Sequence, residues 1–381
     1  MNGSVHLKGI TWDHPRGYAP LVASVEAFRR ESGINITWYK RSLKDFGDVS
    51  VESLSKEYDL LIIDHPHTGI AADSNCLFPL EQLMNEKELT FFSKQYVGNC
   101  YESYRYKNYQ WALPIDAACQ VSSCRPDLFK HTFPENWKQV FDLSEKIKIK
   151  RQCIAIALCS TDCSCSFLTL SAQSGDAPRE NKSRLISPAK GVRILNMLHA
   201  LKEVAHPDSM KWNPVDVYEY MISNDDVIYC PLAFGYVNYA YAGRNKFLKF
   251  GTIPGTTGSL LGGAAIAVSS YTNNVEAAMK YIKWICHPSY QSSDYFINQG
   301  QPCALSAWND KSVNSPAGNF FMNTKNVIDA AYTRPRMKEW PAFQEYMGNL
   351  IHDFLVKNTD AEMIIKEMND TYKKIFFEYT N

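Results

Sequence analysis

No stretch of this 381-residue chain approaches the roughly 20 consecutive apolar residues that a helix needs to cross a bilayer. Apolar runs such as Leu60-Leu61-Ile62-Ile63 have the length of strands, so no membrane-spanning helix is expected. Net charge is missing as well. Its 40 basic residues face 40 acidic ones, which removes any electrostatic reason to expect nucleic acid or an anionic membrane as a partner. A small neutral molecule fits better. The catalytic signatures that a sequence can display are absent too: there is no Gly-x-Ser-x-Gly elbow, no phosphate-binding Gly-Lys-Ser loop and no His-Glu-x-x-His helix. A Cys/His nucleophile pair stays open, because its members need only be neighbours in space; Cys119 or a His pair would be its centre. Cys159, Cys163 and Cys165 stand close together, but their spacing fits no common zinc pattern and no second Cys or His pair follows. No metal and no cofactor is expected.

What the chain has in quantity is aromatic and thiol side chains. Its 22 Tyr and 8 Trp help bring the aromatic share to 13%, enough to offer stacking faces to sugars or other planar-faced ligands, with a Tyr-rich core as the alternative for any one ring. Most of the 11 cysteines sit in apolar runs (Cys119, Cys153, Cys159, Cys230 and Cys286), where a free thiol behaves as a small hydrophobe; that usage favours a reducing compartment.

The length predicts two domains of roughly 150 to 200 residues each. Strand and helix alternate from the start: strands over 5–11, 34–39 and 58–64, a helix over 20–32 closed by Gly33, and short helical segments over 80–83 and 86–96. This is an α/β order in which parallel βαβ units are expected. An extended stretch over 109–124 is long enough to pass from one lobe to another, and Pro126 begins a predicted helix. Further helices are predicted over 137–147, 166–174, 187–204, 216–223, 274–286, 342–357 and 360–378, with strands over 227–232, 248–254 and 260–268.

The exits of the strands hold the chemistry. Trp12, Asp13, His14 and Arg16 follow the first strand, and Asp64, His65 and His67 follow the third. Phe234 and Tyr236 follow a later one. Ligands of open α/β sheets lie outside the carboxyl ends of the strands, so these segments predict a grip on a small polar ligand. At the first exit a helix start offers free amides beside Asp13 and Arg16, for hydroxyls or an anionic group; a helix cap with a solvated Arg is the plain alternative. For Asp64, His65 and His67 the choice is between a hydrogen-bonding rim and an Asx-type turn that merely ends a strand.

Four passages together resemble the extracellular solute-binding proteins of ABC importers, in the sugar-type group that includes maltose-binding proteins. Asp13-His14-Pro15-Arg16-Gly17-Tyr18 is similar to the family's Gly-Tyr turn. Tyr58-Asp59-Leu60-Leu61-Ile62-Ile63-Asp64 with Leu77-Phe78-Pro79-Leu80 is similar to its hydrophobic strand and Leu-x-Pro-Leu segment. Trp111-Ala112-Leu113-Pro114-Ile115-Asp116, Arg125-Pro126-Asp127-Leu128-Phe129 and Pro134-Glu135-Asn136-Trp137 resemble its first hinge strand, helix start and following loop. Gly262-Gly263-Ala264-Ala265-Ile266-Ala267-Val268-Ser269, with Ala277, Ala278 and Trp284 beyond, resembles its second hinge strand and helix.

The resemblance implies an α/β, two-lobed periplasmic-binding-protein-like fold, each lobe a mixed sheet flanked by helices and joined by hinge strands. Residues 1–113 plus 255–303 would form one lobe, and 114–254 plus 304–381 the other. It further implies a non-catalytic protein that closes on a carbohydrate or hydroxylated organic acid, with Phe234, Tyr236 and Tyr239 as an aromatic platform and Trp12 beside them. Asp13, Arg16, Asp64 and Asp116 would satisfy the solute's polar groups, Gly263 would give a hinge strand its freedom or mark a bulge, and Gln301, with Trp308, would lie on the third connection. Arg334 and Arg336 would offer a carboxylate-binding fork, or else bridge helices. The implied partner is an ABC permease and the expected state a monomer. Residues 1–8 show no basic segment leading into an apolar one. The chain as written is therefore expected in the cytoplasm, as a sensor, carrier or enzyme accessory, or in the periplasm or outside the cell if an export signal has been removed.

Overall fold

A computed structural model describes residues 5–48, 50–243, 245–255 and 257–378. These group into two compact units. The first runs to Ala118 and includes Gly262–Ser315 and Arg336–Pro341; the second comprises Cys119–Leu261, Pro316–Pro335 and the chain from Ala342 on. The sequence places breaks after 113, 254 and 303; in the structure they follow 118, 261 and 315, and the short segment Arg336–Pro341 rejoins the first unit.

The first unit opens with β1 (His6–Trp12), α1 (Pro15–Ser32) and β2 (Asn35–Arg41), and β1 pairs with β2 in parallel along its whole length. α1 begins five residues before the predicted start. His14 supplies the N-cap and Pro15 takes the first helical position, where a missing N–H does no harm. Pro20 lies inside the helix near its start and forgoes only one backbone bond. β3 (Leu60–Ile63) is wholly buried and parallel to β1. After it come α2 (Thr68–Ser74) and α3 (Glu86–Ser93), the latter fixed by a capping box between Asn85 and Glu88. β4 (Leu113–Cys124) has all twelve residues buried, the polar Asp116, Gln120, Ser122 and Ser123 among them.

The second unit takes over at Cys119. The predicted helix at Pro126 is a turn instead: the buried Arg125 guanidinium bonds Asp127 and the carbonyls of Met221 and Asn224, which ties the segment down before a helix can grow. Then follow α4 (Trp137–Lys148), β5 (Cys153–Ile154), α5 (Ser160–Gln173), α6 (Pro188–Val204), α7 (Pro214–Ser223), β6 (Val227–Phe234) and β7 (Lys249–Gly251). β6 and β7 both pair antiparallel with β4, while β5 runs parallel to β6.

α5 starts six residues earlier than predicted, which turns the Cys159, Cys163 and Cys165 cluster into a helix start; Cys163 and Cys165 point inward and are buried. Asp162 is buried in the same turn and accepts from the Cys159 thiol at 3.1 Å. Burial raises its pKa to about 7, the Cys159 contact acting the other way. The native state therefore holds a proton that the unfolded chain releases near pH 4, and stability falls as pH rises from about 4 to about 7. Asp162→Asn is expected to flatten that dependence and to raise Tm at pH 7.5, readable from melting curves across the range.

β8 (Leu261–Val268) returns the chain to the first unit and pairs antiparallel with β3, so the parallel order expected for β1 to β3 ends there and the sheet is mixed. α8 (Val275–Ile285) follows. The core beneath β1, β3 and β8 collects Ile10, Leu61, Ile63, Leu77, Trp111 and Ala265. α9 (Phe320–Asp329), α10 (Trp340–Lys357) and α11 (Ala361–Lys373) complete the chain. Among the described residues, no helix is long and apolar enough to cross a membrane.

Candidate ligand site

The strand ends of the first unit bring most of the candidate side chains together. Gly9 lies opposite Leu60 and Ile10 opposite Leu61, so the segments after β1 and β3 leave neighbouring strands at the same end of the sheet. On the other side of β1, Trp12 lies opposite Arg41. The Trp12 side chain is buried, its ring 5.1 Å from that of Phe46. Asp13 is exposed, with its carboxylate 2.8 Å from Lys40 Nζ. His14 does what the cap reading asked of it: its Nδ1 accepts from the Arg16 N–H at 3.0 Å.

Arg16 is not solvated. Its Nε donates to Asp116 Oδ2 at 2.7 Å and its Nη2 to the other carboxylate oxygen, a two-pronged pair whose side chains are 5% and 0% exposed. Burial pushes the Asp116 carboxyl up, and the guanidinium pulls it back down. Arg16 and Asp116, expected among the groups that satisfy a solute, are thus bound to each other and lock the start of α1 onto β4. Gln301 and Gly263 serve the same strand. Gln301 donates to the Ala117 carbonyl at 2.7 Å and returns its own carbonyl to the Ala117 N–H, and Gly263 lets β8 approach the Asp116 carbonyl.

Asp64 caps one turn of 3-10 helix, His65–His67; its Oδ1 accepts from the His65 N–H at 2.7 Å and lies 3.1 Å from the ring Nδ1. The Asx-type turn is therefore present. His65 and His67 are buried, His65 standing edge-on to Tyr104 with ring centroids 6.1 Å apart, while Asp64 stays half-buried. Arg336 of the same unit donates to the carbonyls of Glu102 and Arg105, so it braces the backbone. The indole of Trp308 is buried and donates to the Pro302 carbonyl at 2.9 Å.

In the second unit β6 ends at the half-buried Phe234, and Tyr236 and Tyr239 follow as buried rings. Tyr218 joins them, its centroid 6.4 Å from Tyr236 and 5.3 Å from Tyr239, and donates to the Phe234 carbonyl at 2.8 Å. The Tyr239 hydroxyl donates to Glu219 at 2.7 Å. Arg334 is buried in the same unit, with Gln344 Oε1 3.4 Å from its Nη1.

Two residues absent from the expected set stand at the strand ends: Arg41, which closes β2, and Phe46, which covers both Trp12 and Arg41. The rule that singled out the ends of β1 and β3 applies equally to β2, and a basic residue closing Ile36-Thr37-Trp38-Tyr39-Lys40 was its signal.

No protein of curated function matches the sequence. Among solved structures, the maltose-bound MalE3 of T. maritima superposes with a TM-score of 0.84 at 18% identity, covering 97% of this chain and 100% of that one. A solute-binding protein of an Agrobacterium radiobacter ABC transporter, in complex with ribitol, reaches 0.82 at 17% identity over 98% of this chain and 99% of the other. One from Thermotoga lettingae, bound with α-D-tagatose, reaches 0.82 at 18% identity over 98% and 100%. These establish the two-lobed periplasmic-binding-protein fold. The sequence matches the family described as bacterial extracellular solute-binding protein over residues 23–320, and the chain belongs to that family.

Proposed function

We propose that the chain binds a small polar solute, a sugar, polyol or hydroxylated acid, without altering it. It acts as a monomer and passes the solute to an ABC-type permease, outside the cytoplasmic membrane. The observation that carries this reading is the family match over residues 23–320 together with the cluster of Trp12, Asp13, His14 and Asp64 at adjoining strand ends. The sugars and polyols bound by the structural neighbours point to the same class of solute.

The thiols support binding over catalysis. Nine cysteines are buried and two half-buried; Cys119, the candidate nucleophile, lies in the core, and burial pushes its fellow core thiols Cys124 and Cys230 up to about 12, away from the thiolate a nucleophile needs. Burial of nine of the eleven is also compatible with an oxidising compartment, since a thiol sealed in the core meets no oxidant.

A melting screen against neutral sugars, polyols and sugar acids tests the proposal. A bound solute at 100 times its Kd adds about 2.7 kcal/mol to stability, and mass spectrometry should recover it unchanged. A converted solute would replace this reading with the enzyme centred on Cys119 or a His pair, and no shift with any of the three classes would refute it.

A further inference from the structure

Three arginines stand where strands end, and two of them have anions. Arg16 has Asp116; Arg125 has Asp127 and Asp225. Arg41 has none within ion-pair distance among the described residues. Its Nη2 donates to the Ile62 carbonyl at 3.1 Å, which holds the guanidinium across the end of the sheet, and its central carbon lies 5.2 Å from the centre of the Phe46 ring. The remaining donors, Nε and Nη1, are buried with no hydrogen-bond partner among the described residues, and so is the indole N–H of Trp12. Trp12 and Arg41 are register partners, so both side chains leave the sheet on the same face, and both rest on Phe46.

Burial brings the Arg41 pKa down to about 10, with Asp45 and Tyr58 opposing the drop, so the group stays charged at neutral pH. The carboxylates of the two adjoining strand exits are engaged: Asp13 by Lys40, and Asp64 by the N–H and ring of His65. A buried guanidinium with open donors and no counter-ion is a strained arrangement that a bound oxyanion relieves.

We infer that Arg41 and the Trp12 N–H form a carboxylate subsite, and that the solute is a sugar acid of the aldonate or uronate class. The inference rests on the solute-binding reading and narrows it.

The test is calorimetry on the full chain with D-glucuronate, D-galacturonate and D-gluconate against D-glucose, D-galactose and D-glucitol, with glucose 6-phosphate as a further arm. An acid should bind at least about tenfold tighter than its neutral counterpart. Arg41→Met should abolish that preference while melting, ligand-free, close to the wild type, because the charge it removes has no counter-ion within ion-pair distance among the described residues, and loss of the Ile62 hydrogen bond is offset by no longer burying a charge. Arg41→Lys should keep the charge and lose most of the preference, and it decides the matter should the Met variant fail to fold. Neutral solutes binding as well as acids would overturn the subsite and leave the solute-binding reading standing. So would a preference for the phosphate over every carboxylate, or an acid preference that survives in both variants. Binding of none of the seven compounds would overturn both.

Discussion

Asp116→Ala is expected to destabilise the first unit by about 3–5 kcal/mol, because it strands the Arg16 guanidinium in the interior without its anion. The size follows from burial. Exposed pairs such as Asp13 with Lys40 are screened by water and contribute about 0–1 kcal/mol, whereas here neither partner can turn to solvent. For a unit of this size the loss corresponds to a fall in Tm on the order of ten degrees. The pair itself is another matter: replacing both partners by apolar groups of similar volume, as in Arg16→Met with Asp116→Leu, should restore most of the loss, since desolvating two charges offsets much of their attraction. A double variant as unstable as Asp116→Ala would show that the pair does more than neutralise itself. Thermal unfolding of the wild type and the two variants, followed in the transition of the first unit, measures both effects.

This pair also marks where sequence reading stops. The end of β1 could be read from its apolar pattern, and with it the fact that Arg16 would lie near other strand ends. Its partner lies 100 residues away, on a buried strand where Asp116 could be picked out as a carboxylate, but no local pattern tells a ligand-facing carboxylate from one buried against an arginine. The same limit applies to Gln301, whose amide and carbonyl bind Ala117. Elements whose ends carry their own chemistry were the more legible: Gly33 closes α1 where it was expected, and the helices opened by the capping boxes at Asn85 and Asn213 start within two residues of the predicted starts. Where a distant contact decides, as Arg125 does for the turn at Pro126, local propensity fails. Arg41 is a third kind of case. Its position was legible, but what sets it apart is the lack of a counter-ion among the described residues, and that becomes visible only when the other charges around it have been placed.

Gly263→Ala should cost about 2–5 kcal/mol, more than the same change at Gly33. At Gly33, where φ is 74° and nothing lies within 4 Å of an added Cβ, alanine meets only the left-handed penalty, about 1–2 kcal/mol. At Gly263 φ is 107°, and the added carbon would stand 2.4 Å from the Asp116 carbonyl oxygen and 3.1 Å from the Ala117 Cα. Both are backbone atoms of β4, so relief requires the strand itself to move, at a further cost typical of overpacked cores, about 1–3 kcal/mol. That movement has a defined consequence. The carbonyl of Asp116 and the Arg16-bound carboxylate belong to one residue, so displacing the first loosens the second. Gly263→Ala and Asp116→Ala should therefore fall short of additivity by about 0.5–3 kcal/mol when combined, whereas Gly33→Ala should add to Asp116→Ala within about 0.5 kcal/mol. Denaturant midpoints of the wild type, the two single variants and the double variant in each cycle give the two numbers. A fully additive Gly263–Asp116 cycle would mean that β4 absorbs the intrusion without moving Asp116, and that the tight approach of β8 plays no part in holding the Arg16 pair.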